Sequence, residues 1–367
     1  MPANKPRFDG EWVRLDQLCV KGRSALRQKD LTDDGPYVVY GASGIVGSMG
    51  TFQNGTRYVA VVKDGAGVGR ASLCPANTSV LGTMQALIPT EQVLPEYLLH
   101  LVRAMRLGGG FTGSTIPHIY FKDYGQRLVR CVSLVEQGRI VGTLGSIEDQ
   151  MGLLRGQVTK LDALVKSRFV ERFGDAGWPV ATIGSLAKDI RYGTSKKASG
   201  NGQFIYLRMN NMTDDGGLVF NDVKHIDLSG PELEKCQVID GDLLFNRTNS
   251  REKVGKTAVF HEAEPMVIAG YIIRVRLGDR VRPDFLSAYM NLPTTKATLR
   301  SIAKGAVHQA NINSKELSAI EVPVPPLELQ DRFLSFVAEV DKSRFIVQKQ
   351  IEKLQTLYDS LAQEYFS

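Results

Sequence analysis

The chain repeats itself at a fixed distance of 193 residues, and this repeat limits what it can fold into. Residues from Ser133 and residues from Pro326 align without a gap, so that Gln137 matches Gln330 and Phe173 matches Phe366. Both copies carry seam residues in alternating steps of four and three, which is the spacing of a coiled coil. These residues are Ile140, Leu144, Ile147, Met151, Leu154, Val158, Leu161 and Val165 in the first copy, and Phe333, Val337, Val340, Val347, Ile351, Leu354, Tyr358 and Leu361 in the second. The sequence therefore predicts two long helices, residues 133–174 and 326–367.

The seam leaves two packing arrangements open. Each helix could pack on its own domain, but a narrow seam sustained over about four heptads favours packing of the two helices on each other. The pattern does not fix their direction. An antiparallel pair would place the domains at opposite ends, because each helix follows a similar domain. Arg344 interrupts the second seam, so the packing there is the weakest part of the prediction.

The segments 1–132 and 175–325 are predicted to be two related domains of the α+β class. Short strand-like runs such as residues 58–62 and 204–207 alternate with Gly, Asn and Asp turns, which is typical of mostly antiparallel sheet. The repeat continues into both domains, where Ile119 matches Ile312. Further back, Val68-Gly69-Arg70 resembles Val254-Gly255-Lys256. The domains are thus expected to share a fold and to differ in their loops.

The net charge of +6 permits nucleic-acid binding but does not establish it. Its excess lies in the domains, with 15 Lys and Arg against 10 Asp and Glu in residues 1–132, whereas the helices are nearly neutral. Scattered cysteines indicate reduced thiols and no disulfide framework. The sequence has neither an N-terminal apolar signal segment nor a long apolar run, so a cytoplasmic location is expected.

The motifs of catalysis are weak or absent. The glycine-rich run at residues 64–70 could suggest a phosphate loop, but Pro75 prevents the helix that such a site needs, which favours a tight turn between strands. The five histidines show no metal-ligand spacing. Asp222-Val223-Lys224 has the look of a nuclease site but lacks an upstream acidic partner. The sequence predicts a chain with no chemistry, metal or cofactor of its own.

In its layout the chain resembles the specificity subunit of type I restriction-modification systems. The resemblance rests on the Trp-led openings at Trp12 and Trp178, and on four motifs in order. These are TIPHIYFKDYGQRLV (115–129), IRYGTSKKA (190–198), VIDGDLLFNRTNSREKVGKTAVF (238–260) and NINSKELSAIEVPVPPLELQDRF (311–333). Each domain, by this resemblance, reads half of a bipartite, asymmetric site in double-stranded DNA.

The resemblance also implies partners for the two helices. They would form an antiparallel coiled coil that sets the gap between half-sites and docks two methyltransferase subunits. Those subunits would bind S-adenosylmethionine and methylate adenine, and restriction subunits that bind ATP and Mg could join. From Ile140 to Val165 a helix spans roughly 38 Å, close to the about 34–36 Å of one DNA turn.

Candidate DNA-binding residues combine Lys and Arg, which neutralise phosphates, with side chains that read base edges. In the second domain they are Tyr192, Thr194, Ser195, Lys196, Lys197, Arg208, Asn210, Arg247, Asn249, Arg251, Lys253, His308, Asn311 and Asn313. In the first domain they are Lys63, Arg70, Thr115, His118, Tyr120 and Lys122. Two other functions stay open: a scaffold whose domains bind only proteins, and a stand-alone nuclease.

Overall fold

The computed structural model describes residues 10–110, 117–174, 177–306 and 309–367. These residues form two compact units. Unit 1 comprises the described residues up to Gln157 together with Val347–Ser367, and unit 2 comprises the described part of Val158–Ile346. Each unit contains part of both long helices, so the units group the chain differently from the predicted division into 1–132, 133–174, 175–325 and 326–367. That four-part division stays a prediction.

Unit 1 contains nine strands and three short α-helices among its described residues. In chain order they are β1 (Glu11–Arg14), α1 (Leu15–Leu18), β2 (Cys19–Lys21), β3 (Tyr37–Gly41), β4 (Gly44–Met49), β5 (Tyr58–Val62), β6 (Ala71–Cys74), β7 (Ser79–Val80), β8 (Met84–Pro89), α2 (Pro95–Ala104), α3 (Phe121–Tyr124) and β9 (Leu128–Cys131). The first long helix, α4 (Leu134–Phe173), follows.

The sheets of unit 1 are mostly antiparallel, as the sequence predicts. The order β2-β8-β5-β6 forms the main sheet, β4-β3-β7 a second, and β1 pairs with β9. The pairing of β3 with β7 is parallel. The run YVAVV is fully buried in β5, because the main sheet is covered on both faces. Helix α2 packs on this sheet and adds Tyr97, Leu98 and Leu101 to the core.

Unit 2 repeats this plan with more elements. They are β10 (Val180–Thr182), α5 (Ile183–Leu186), β11 (Ala187–Tyr192), β12 (Phe204–Leu207), β13 (Lys224–Ile226), α6 (Gly230–Cys236), β14 (Gln237–Val238), β15 (Leu243–Asn246), β16 (Thr248–Asn249), β17 (Thr257–Val259), β18 (Met266–Ile268), β19 (Ile272–Leu277), α7 (Pro283–Met290), α8 (Pro293–Ile302), β20 (Lys304–Ala306), β21 (Gln309–Asn311), α9 (Ser314–Ser318) and β22 (Glu321–Pro323). The second long helix is α10 (Leu327–Phe366).

The sheet orders show the shared frame. Unit 2 has a main sheet of order β11-β19-β15-β17, beside sheets β13-β12-β18-β14 and β16-β21-β20. Strand β10 pairs with β22 just as β1 pairs with β9, so in each unit a first strand and a last strand close the domain. An aromatic cluster of Phe169, Phe285 and Phe333 brings both long helices into the unit 2 core, with ring centroids 5.0–6.1 Å apart.

A buried glutamine joins each long helix to its unit. Gln137 in α4 accepts a hydrogen bond from the backbone N–H of Leu94, which precedes α2, at 2.8 Å. Gln330, its counterpart in α10, accepts from the backbone N–H of Arg282, which precedes α7, also at 2.8 Å. Both side chains are 0% exposed. The repeat therefore preserves a specific contact as well as a seam.

The predicted seam residues are buried or half-buried at every position. The helices are antiparallel. Within unit 2, Asp162 of α4 contacts Arg344 of α10, whereas Phe169, further along α4, contacts Phe333, further back in α10. Arg344 does not leave a gap in the seam. Its guanidinium forms an ion pair with Asp162 at 2.6 Å.

Candidate nucleic-acid interface

One corner of unit 2 gathers several of the predicted DNA-binding residues. It lies where β15 ends and the chain continues into β16, beside β21. Arg247 follows β15 directly, and its carbonyl accepts the backbone N–H of Ile312 at 2.9 Å. Strand β16 pairs with β21 through Thr248 and Asn311. Side chains from the β15–β16 segment and from β21 therefore lie close together at this corner.

The same corner exists in unit 1. Lys63 follows β5, and its carbonyl accepts the backbone N–H of Ile119 at 3.0 Å. Asp64 forms a β-bridge with His118, as Thr248 does with Asn311. The backbone bonds therefore match Lys63 with Arg247 and His118 with Asn311. The matched positions carry different side chains on one frame.

The glycine-rich run 64–70 is a hairpin loop between β5 and β6, as predicted. Gly65, Gly67 and Gly69 all have positive φ, which only glycine adopts without strain. The guanidinium of Arg70 lies over the loop, where its Nε donates to the carbonyl oxygen of Gly67 at 3.3 Å and its Nη2 donates to those of Ala66 and Ala42 at 3.4 Å. Its Nη1 donates to none of the described residues, so this end of the exposed guanidinium can bind an anion.

Aromatic and basic side chains surround the unit 1 corner. The ring of His118 lies edge-on to that of Tyr120, with centroids 4.0 Å apart. The Lys122 ammonium lies 5.3 Å from the Tyr120 ring centroid. His118 Nδ1 also contacts the Asp64 carboxylate. Burial and the positive charge of Lys21 lower the pKa of Lys63. An ammonium that is already partly desolvated gives up less hydration when it binds an acceptor.

Four of the predicted DNA-binding residues of unit 2 have exposed side chains with no hydrogen bond or ion pair to any described residue. They are Ser195, Lys197, Asn210 and Lys253. Lys196, by contrast, is paired with Glu232 at 2.5 Å, and this contact holds the pKa of Glu232 below its usual value. The two unpaired lysines are the better candidates for phosphate contacts.

Some predicted residues are engaged within the protein. Thr194 is 5% exposed and donates to Glu232 at 2.7 Å. Arg208 is paired with Asp222 at 2.9 Å. Other predicted side chains bond to nearby groups: Asn313 caps α9, Arg251 donates to the carbonyls of Arg300 and Gly305, and Asn249 donates to Asn246. For these residues the structure supplies a folding role, and DNA contact stays a prediction.

Thr115 and His308, also predicted, lie outside the described residues. Thr248 and Ser314 also lie at the unit 2 corner and are not among the predicted residues. The backbone bonds, and not the 193-residue repeat, match Lys63 with Arg247, so the sequence held no direct signal for Thr248. Among the described residues no group of three or more His, Cys, Asp or Glu side chains could hold a metal ion, and no helix is long and apolar enough to cross a membrane.

Comparison with known proteins gives the family. Residues 176–356 match the family model of the type I restriction modification DNA specificity domain. A Methanocaldococcus jannaschii protein named as the MjaX type I restriction enzyme specificity subunit is 24% identical over 193 residues, 52% of this chain and 45% of that protein. The Escherichia coli (strain K12) EcoKI specificity subunit is 24% identical over 182 residues, 49% of this chain and 39% of that protein. The chain matches less than half the length of each relative.

Two solved structures share the fold over nearly all of the chain. The S subunit of a type I restriction-modification system from M. genitalium has a TM-score of 0.52 and 15% identity, covering 100% of this chain and 98% of that one. A chain from a structural study of the assembly and conformational transition of the type I R-M system has a TM-score of 0.57 and 19% identity, covering 99% of both. Residues 176–356 therefore belong to the family of type I restriction modification DNA specificity domains, and the chain as a whole shares the fold of an S subunit of a type I restriction-modification system.

Proposed function

We propose that this chain recognises a two-part, asymmetric DNA site and catalyses no reaction. The observation that carries the proposal is the corner that recurs in both units. Its backbone bonds are the same, whereas its side chains differ, with Lys63 and His118 in one unit and Arg247 and Asn311 in the other. Two unlike half-sites require different base-contacting side chains, and the two units present them on the same backbone framework.

Unit 2 carries residue types that suit DNA. Lys197 and Lys253 can neutralise phosphates, which positions the protein without reading sequence. Arg247 belongs to a residue type that reads guanine in the major groove. A surface that combines both is expected of a sequence-reading protein, and the family of residues 176–356 supports this assignment.

The long helices are proposed to set the gap between half-sites. In α4 the seam from Ile140 to Val165 spans roughly 38 Å, about one turn of B-DNA. The antiparallel pairing of α4 with α10 supports a stiff spacer, because coiled-coil packing limits bending.

The helices are also proposed to dock two methyltransferase subunits, which would supply S-adenosylmethionine chemistry, and to allow ATP-dependent restriction subunits to join. Large apolar side chains are exposed on them: Val135 is 71%, Leu153 76% and Ile346 58% exposed. Leu153→Asp should weaken capture of the methyltransferase in a pull-down from cells that carry the complex. Gln157→Asp, at an exposed polar position of the same helix, should not.

Mapping methylated adenines in DNA from cells that carry the complex tests the proposed function. A split, asymmetric motif with a fixed gap is expected, and a short palindrome or no motif would contradict it. The purified chain should also shift random duplex DNA at low salt, with affinity falling as salt rises. A scaffold would show no such binding, and a stand-alone nuclease would cut DNA when a divalent metal is added.

A further inference from the structure

The guanidinium of Arg247 is held in place by protein groups on two sides. The ring of Tyr192 stacks on it, with the guanidinium carbon 5.0 Å from the ring centroid. Its Nη2 donates to Oδ1 of Asn311 at 2.9 Å. A stacked and hydrogen-bonded guanidinium has lost most of its rotational freedom already, so little further entropy is lost when it binds a ligand.

The residues that hold Arg247 are themselves fixed. The Tyr192 hydroxyl donates to Oγ of Ser314 at 3.0 Å and accepts the Ser314 backbone N–H at 2.7 Å. Asn311 donates its amide N–H to Oγ1 of Thr248 at 3.2 Å. This network joins β11, β16, β21 and the start of α9. It orients one planar cation rather than merely placing a charge nearby.

Arg247 keeps hydrogen-bonding capacity that the protein does not use. No carboxylate pairs with it among the described residues, whereas Arg208, Arg274 and Arg276 of the same unit are each paired with an aspartate. Its Nη1 donates to none of the described residues, and its Nε is enclosed without an acceptor. A ligand therefore meets the Nη1 and Nη2 edge, where both N–H groups of Nη1 and the second N–H of Nη2 remain to donate.

We propose that this edge reads a guanine in one half of the DNA site, donating to O6 and N7 of the base. The inference rests on the proposed function and deepens it. A phosphate also offers two acceptors, but flexible, unpaired lysines such as Lys197 and Lys253 meet phosphates without a fixed orientation. A pre-oriented planar fork matches a base edge, where position and angle decide the readout.

The matched position in unit 1 predicts an asymmetry. Lys63 places an ammonium where unit 2 places the guanidinium, and an ammonium is a point charge without a fork. Loss of the Arg247 guanidinium should consequently relax the base specificity at one position of one half-site. The specificity for the other half-site should stay unchanged.

The test uses a strain that carries the native complex. The chromosomal gene for this chain is replaced by one that encodes the Arg247→Lys variant, and methylated adenines are then mapped. The matched control is Arg280→Lys, an exposed arginine of unit 2 that donates to the carbonyl of Ser185 at 2.7 Å, outside the network. Folding is checked by the fluorescence of Trp178. Methylation at sites with the wrong base at one guanine position should rise roughly 5- to 150-fold relative to the intact motif, as expected for one lost bidentate contact.

Asn311→Ala provides a second variant that retains Arg247 and removes the acceptor that orients it. It should relax the same guanine position less than Arg247→Lys does. A uniform loss of methylation at every site, with no position relaxed, would mean a phosphate contact and would overturn the proposal. An unchanged motif and rate would overturn it as well. If the unaltered strain shows no split motif, the proposed function itself fails, which is a distinct result.

Discussion

Replacing Gln137 with leucine should destabilise unit 1 by about 3 kcal/mol. The substitution retains most of the volume and removes three hydrogen bonds with backbone groups, one from the N–H of Leu94 at 2.8 Å and two to the carbonyls of Gln92 and Val132 at 2.9 Å. Gln137 is fully buried, so water cannot easily replace its amide. An unpaired buried backbone group costs about 1–3 kcal/mol, and we take the lower end for each of the three groups.

The assay uses the two tryptophans of the chain, one in each unit. Trp12 reports on unit 1 in a Trp178→Phe background, and Trp178 reports on unit 2 in a Trp12→Phe background. For a unit of this size, a loss of about 3 kcal/mol lowers the melting temperature by about 6–12 °C. The Trp12 signal should show this shift.

Gln157→Leu is the matched control, because Gln157 is an exposed glutamine of the same helix and the same unit. It should change stability by less than about 0.5 kcal/mol. Gln330→Leu should repeat the large effect in unit 2, reported by Trp178. Equal stabilities of Gln137→Leu and the control would refute the reasoning, since the backbone groups would then have found other partners.

Three further predictions follow from particular contacts. His100 is buried and its pKa is lowered to about 4, chiefly by burial, so unit 1 should lose up to about 3 kcal/mol as pH falls from 6.5 to 4. His100→Gln should flatten that pH dependence of unfolding, and an unflattened curve would assign it to other groups. A double-mutant cycle of Asp162→Ala and Arg344→Ala should give a coupling energy of about 1 kcal/mol, because the pair is half-exposed; a value near zero would show that the seam does not need the pair. Lys197→Ala should reduce the slope of log affinity against log salt by about 0.9. Lys188→Ala should not change it, because Lys188 is paired with Asp279. A Lys197→Ala slope equal to that of the unaltered chain would show that Lys197 does not contact DNA.

The sign of the pH prediction follows from the lowered pKa. Between pH 4 and 6.5 the unfolded chain binds a proton at His100 that the folded chain does not bind. Protonation therefore favours unfolding as pH falls through this range, and the full stability is present above about pH 6.5. The Tyr358 hydroxyl, 2.8 Å from Nδ1, satisfies the neutral ring.

The sequence by itself determined the elements that have a strong period or a repeat. Both long helices begin and end within a residue of their predicted bounds, and YVAVV and FIYL form the predicted strands. Helical and strand periods are set by residues that lie close together in the sequence. They can therefore be recognised without knowledge of the tertiary contacts. The repeat also marked Gln137 and Gln330 as equivalent before any contact was known.

Only the tertiary structure decided which side chains meet. The pattern left the helix direction open, and the contacts of Asp162 with Arg344 and of Phe169 with Phe333 settled it as antiparallel. Within the predicted DNA-binding set, the structure separated Thr194, which is buried against Glu232, from Lys197, which no described residue holds. It also joined Tyr192, Arg247 and Asn311, which lie up to 119 residues apart in the chain. Such long-range contacts depend on how sheets and loops pack, and local sequence patterns carry no direct record of that packing.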